Sequence, residues 1–104
     1  MTRLSSQFWV QAYFKRLQLA GISGYVVIHG DDTAGAILVK LNTLDGNASA
    51  YQRSIDPSSG NSSWMLLNQT NEAEIDASIR RQCALDPDLW VLEIEDRSGR
   101  HLLD

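Results

Sequence analysis

Two histidines, one cysteine and thirteen acidic residues are the groups in this 104-residue chain with obvious chemical potential. Neither His29 nor His101 stands at metal-ligand spacing from a second ligand. Cys83 continues a helical face with Ile75 and Ile79 at i, i+4, i+8. That is the setting of a small buried hydrophobe, so Cys83 is expected to be buried and inert. Gly30-Asp31-Asp32-Thr33-Ala34-Gly35 has the outer glycines of a phosphate-binding loop. Ala36-Ile37, however, stands where Lys-Ser/Thr is required, and Asp31 and Asp32 would repel phosphate. The segment reads as a turn. Asp31, Asp32 and Asp45 would make an oxygen-ligand metal set only if their loops shared one end of the sheet. An intervening strand with about 3.3 Å rise per residue puts them roughly 25–30 Å apart instead. No cofactor and no metal site is expected.

The remaining charged groups read as structure. Glu93 and Glu95 project from one face of a strand near the C-terminus, and Lys40 can face the same side from an earlier strand. If those strands are neighbours, a cross-strand ion pair worth roughly 0.2–1 kcal/mol follows. Asp76 and Arg80 make an i, i+4 pair on a helix. Arg80, Arg81, Arg97 and Arg100 bracket that helix and the final turn, as solvated surface arginines or as one basic spot. No Gly-x-Ser-x-Gly, no Ser/His/Asp order and no glycine-rich dinucleotide loop occurs.

These groups are carried by seven main elements and a short last strand. Ser5 or Ser6 caps a helix from about Gln7 to Ala20, ended by Gly21. Trp9, Val10, Tyr13, Phe14, Leu17 and Ala20 form its core-facing stripe. Phe8, Ala12 and Leu19 form a second, narrower apolar stripe, separated from the first by Arg16. Tyr25–His29 is a short strand and Ala36–Leu44 a second, with Ile37, Val39 and Leu41 toward the core and Leu38, Lys40 and Asn42 away from it. Asp45-Gly46 predicts a type I′ hairpin into a return strand over Asn47–Arg53. Asp56–Ser62 is loop by composition, and Trp64–Leu67 is a fourth strand. Asn71-Glu72-Ala73-Glu74 is a capping box opening a helix to about Leu85. Pro87 separates that helix from a strand over Leu89–Asp96, with Trp90, Leu92 and Ile94 on one face and Val91, Glu93 and Glu95 on the other. Gly99 supplies the turn before a short last strand at His101–Leu103.

The order helix, four strands, helix, strand predicts one α+β domain over residues 1–104. It should be a two-layer domain, with a mainly antiparallel sheet of about five strands and both helices on one face. An apolar fraction of 43% and a charged fraction of 21% are ordinary for a soluble globular chain. The net charge of −4 argues against nucleic acid as a partner. No apolar run reaches the length of a membrane span, and the N-terminus lacks the apolar region of a signal peptide, so a cytoplasmic setting is expected. A lone cysteine agrees with a reducing compartment.

Three stretches together resemble a small bacterial domain-of-unknown-function family, family 1491. They are Phe8-Trp9-Val10-Gln11-Ala12-Tyr13; Ala34 to Asn42 with Leu44-Asp45-Gly46; and Asp86 to Arg97 with Gly99-Arg100-His101. The resemblance spans nearly the whole chain and implies no activity, cofactor or site residue. The element order also matches the restriction-nuclease core once the Trp64 strand is counted as an addition. That chemistry needs an acid two residues before a lysine on a strand, and neither Ala36–Lys40 nor Ser49–Arg53 supplies it. The sequence therefore favours a non-enzymatic interaction or accessory module, with an unknown protein partner or self-association. Phe8, Ala12 and Leu19 are its candidate interface. A small hydrolase or ligand-binding domain is the alternative.

Overall fold

The computed structural model describes residues 5–55 and 58–103. Seven elements follow one another: α1 (Ser6–Leu19), β1 (Ser23–Ile28), β2 (Ile37–Asn42), β3 (Asn47–Ile55), β4 (Ser62–Asn71), α2 (Glu72–Leu85) and β5 (Trp90–Glu95). The fold is α+β, as expected, with one five-stranded sheet in the order β1-β5-β2-β3-β4. Three of the pairings are antiparallel and one, β2 with β5, is parallel. The chain after α2 returns β5 between β1 and β2 instead of adding it at an edge. A parallel neighbour needs a long crossover, and β3, β4 and α2 provide it.

That insertion decides the layers. β2 and β5 become central strands, and both of their faces are covered. Ile37, Val39, Leu41, Trp90, Leu92 and Ile94 pack with Val10, Tyr13 and Leu17 of α1 on one face. Leu38 and Val91 pack with Ala48, Ala50, Ile75 and Ile79 on the other, beneath α2. The expectation of both helices on one face is corrected: they lie on opposite faces. Leu38, Lys40 and Asn42 were expected to point away from the core, yet all six residues of β2 are buried. A strand between two helices has no solvent side, whatever its alternation says.

The helix ends follow the capping chemistry. The Ser5 side chain accepts from the Phe8 amide at 3.2 Å, and Gly21 takes φ +73° after the last turn of α1. Asn71 Oδ1 accepts from the Glu74 amide at 2.9 Å. The β2–β3 hairpin forms where expected, but not as a type I′ turn. Positive φ falls on Leu44 and Gly46, and Asn42 Oδ1 holds Leu44 by accepting from its amide at 2.8 Å. β4 runs well beyond Trp64–Leu67 on both sides. His101–Leu103 is not a strand: Leu102 has φ +56°, and the segment packs its leucines against the α1-side core. Asp56 and Pro57 of the expected loop lie outside the described residues.

The Gly30–Gly35 turn has a packing reason for its glycines. A Cβ on either would collide with the Asp88 carbonyl. The loop thereby closes around Trp90, whose indole Nε1 donates to the Asp31 carbonyl at 2.7 Å while the His29 ring lies tilted against it. The same loop serves α1: the Ser6 and Gln7 amides donate to Thr33 and Asp32 carbonyls, and Ser6 Oγ donates to the Gly35 carbonyl at 2.6 Å.

Candidate functional site

α2 lies over the β2–β3–β4 side of its face, reaches Val91 of β5, and leaves β1 uncovered. All six residues of β1 are exposed. Antiparallel pairing with β5 slips between Val26 and Ile28, a bulge that leaves Val27 unpaired. Tyr25, Val27 and Ile28 then form one wall of a groove of about 840 Å³, and Asp76, Ile79, Arg80, Cys83 and Ala84 of α2 form the other. Lys40 and Glu93 are its floor, with Glu72 at one end.

Lys40 is the centre of the polar end. Its side chain is 5% exposed, and its ammonium lies 2.8 Å from Glu72 Oε2, 2.7 Å from Asp76 Oδ1 and 3.3 Å from Glu93 Oε1. The Glu93 contact follows from strand register, since Lys40 is paired with Glu93 across the parallel β2–β5 ladder. The conditional ion pair drawn from the sequence therefore forms. The Asp76–Arg80 pair does not, because Asp76 turns its carboxylate to Lys40. Asn42 Nδ2 also donates to Glu72 Oε2 at 2.9 Å, and the Glu72 amide donates to the Gly46 carbonyl. The first turn of α2 is thus fastened to both ends of the β2–β3 hairpin region.

Three carboxylates around one ammonium decide its chemistry. Burial lowers the Lys40 pKa, but hydrogen bonds to Asp76 and Glu72 and the charge of Glu93 outweigh it, holding the pKa well above the ordinary lysine value. A lysine that keeps its proton is neither a nucleophile nor a base. The ammonium also occupies the place where carboxylates would otherwise gather a cation, and no cluster with metal-holding geometry occurs among the described residues. Burial, and then its hydrogen bond to the Glu93 carboxylate, raises the Tyr25 phenol pKa. The site can orient and neutralise charge.

A family model described as a protein of unknown function, DUF1491, matches residues 4–104. The chain belongs to the DUF1491 family. A crystal structure of a DUF1491 family protein from Caulobacter crescentus CB15 is similar to it at TM-score 0.87 and 40% identity, over 97% of this chain and 95% of that one. An NMR structure of a DUF1491 family protein from the same organism gives 0.85 and 39%, over 99% and 94%. The solution structure of protein Atu0922 from A. tumefaciens gives 0.79 and 30%, over 98% and 93%. No curated protein matches the chain.

The residues singled out from the sequence do not converge in this DUF1491 chain. Phe8 is 56% and Leu19 77% exposed, and Ala12 is exposed beside them. At about 100° per residue their arc is roughly opposite the buried Val10–Tyr13–Leu17 line, pointing away from the sheet. They are on the α1 side, remote from the groove on the α2 side. Cys83 is only partly buried and lines the groove, which corrects the expectation of full burial. Arg100 pairs with Asp96, while Arg80 is in the groove. His101 packs its ring, tilted, against Tyr51, and its carbonyl accepts from Tyr13 Oη at 2.6 Å. Glu72 and Asp76 were missed as site residues because both helices were placed on one face. Their signal was the pair Lys40 and Asn42 inside an otherwise apolar strand.

Proposed function

We propose that this protein is a non-enzymatic docking module that receives a segment of another protein in the groove between α2 and β1. The observation that carries the reading is the open half of the α2 face. Tyr25, Val27 and Ile28 are 47%, 50% and 38% exposed on an edge strand, next to a polar end whose one buried cation is saturated. Contiguous exposed apolar surface of this kind marks interaction sites, and unpaired strand edges recruit partners unless blocked. Lys40 supports a binding role over a hydrolytic one, because its ammonium is tied up and protonated. Among the described residues no helix is long and apolar enough to cross a membrane. A photo-crosslinking amino acid at position 27, introduced in the native host, tests the reading. A discrete adduct that disappears when Ile28→Lys is added supports it; no adduct at position 27 overturns it.

A second reading is self-association through Phe8, Ala12 and Leu19, favoured by the exposure of all three on the outer side of α1. Sedimentation over a concentration series, wild type against Phe8→Ser, separates it from the first. A mass that rises with concentration only in the wild type supports self-association.

A further inference from the structure

The groove has a size and a polarity, and both describe its occupant. The open strip is β1, all six of whose residues are exposed, with Glu93 of β5 at its floor; packed helices lie about 8–10 Å apart, so a helix set beside α2 would cover it. A five-stranded sheet is wide enough for two helices per face, and this face has one. At the polar end Tyr25 stands beside Glu93, and Asp76 approaches from α2. At the apolar end Val27 and Ile28 face Ile79. The lining carries three carboxylates, Glu72, Asp76 and Glu93, against two cations, Lys40 and Arg80. Lys40 directs its ammonium to one oxygen of each carboxylate. Glu72 Oε1 and Asp76 Oδ2 accept no hydrogen bond from the described residues, and their side chains are 39% and 41% exposed.

We propose that the occupant is an amphipathic helix of a partner protein, lying beside α2 with its apolar stripe on Val27, Ile28 and Ile79 and a lysine or arginine at the Glu93–Asp76 end. This rests on the reading of the groove as a docking surface and adds the chemistry of its partner. The excess of carboxylate over cation in the lining is complementary to a positive side chain, and a negative one would meet like charge. From Tyr25 to Ile28 the strand advances about 10 Å, which a helix covers in about seven residues. The cation therefore lies about two helical turns from the centre of the apolar stripe.

Selection of displayed 18-residue amphipathic helical peptides on the intact chain tests this, with the bound peptides mapped by amide shift perturbation. The expected winners are apolar at i and i+4, carry a lysine or arginine about seven residues away, and perturb residues around 25–28 and 76–84. Replacing that peptide cation by norleucine should weaken binding about tenfold, and should change little against the Glu93→Gln variant. Because the first replacement is made in the peptide, it stays informative if the variant folds poorly. Winners indifferent to the cation overturn the charge assignment. Winners that bind as extended strands along β1 overturn the helix. A position-27 adduct of twice the chain mass makes the occupant a second copy and also overturns it. If position 27 captures a foreign partner while no helical peptide binds the groove, the docking reading stands and this inference fails.

Discussion

The two faces of the sheet are built from different materials. Under α1 the layer is large and dry: Trp90, Tyr13, Leu17, Ile37, Leu92 and Ile94 are all nearly inaccessible, and Trp9, Phe14 and Trp64 seal its margin. Rings meet along that margin, Trp9 stacked on Tyr13 at 4.9 Å and tilted against Trp64 at 5.2 Å. Under α2 the layer is thin. Ala48 and Ala50 let the helix close on β3, two isoleucines anchor it, and the remaining cohesion comes from the Lys40 network. Beyond that network the face is open. One layer holds the fold, and the other has room for something else. A Gly24 Cβ would press on Leu17, Phe14 and Ile94, so α1 approaches β1 closely, and the hollow left there is smaller, about 380 Å³ against about 840 Å³.

If that division is right, damage to the α1 layer should cost most. Trp90→Ala is expected to lose about 3–5 kcal/mol, a large share of a small domain's stability. Chemical denaturation measures it, and a loss below 1 kcal/mol would mean that Trp90 is not the keystone of this layer. Lys40→Met should cost less, about 2–3 kcal/mol, because it leaves three carboxylates facing one another while Glu72 and Asp76 remain within reach of water. Adding Glu93→Gln should cost less than the sum of the two single effects, since both residues belong to one network. Strict additivity would dissolve the network. The raised Lys40 pKa has a defined sign. Its contribution is complete below the unfolded lysine value near 10.4 and is lost as pH rises through the higher folded value. Wild type should therefore lose stability in strong alkali along a slope that Lys40→Met lacks.

The smaller effects sharpen the margin between the layers. Burial lowers the His101 pKa. The unfolded state then takes up a proton more readily, and stability should fall as pH drops through about 6.5, by under roughly 1 kcal/mol. Protonation would also remove the acceptor that His101 Nδ1 offers the Leu103 amide at 2.9 Å. Comparing acid-side melting of wild type and His101→Gln reads this out, and identical profiles would assign the slope elsewhere. Phe8→Ser, on the outer side of α1, should change stability by no more than about 0.5 kcal/mol. A larger loss would place Phe8 inside its own fold and remove the self-association reading.

The local grammar was legible from the residues alone. Ser5 and Asn71 cap their helices because side-chain oxygens near free helical amides do so in any fold. Trp90, Leu92 and Ile94 share a face because strand geometry alternates, and Gly21 and Gly99 take positive φ where a turn requires it. Even the Lys40–Glu93 pair could be drawn conditionally. What no stretch of sequence contains is the order of strands in the sheet. Setting β5 between β1 and β2 makes β2 central, which buries Lys40 and Asn42 and puts the helices on opposite faces. That choice is made by long-range pairing and by the fit of Trp90 into the Gly30–Gly35 loop, contacts between residues far apart in the chain. Glu72 and Asp76 meet Lys40 only after it, and the groove exists only because one helix cannot span five strands.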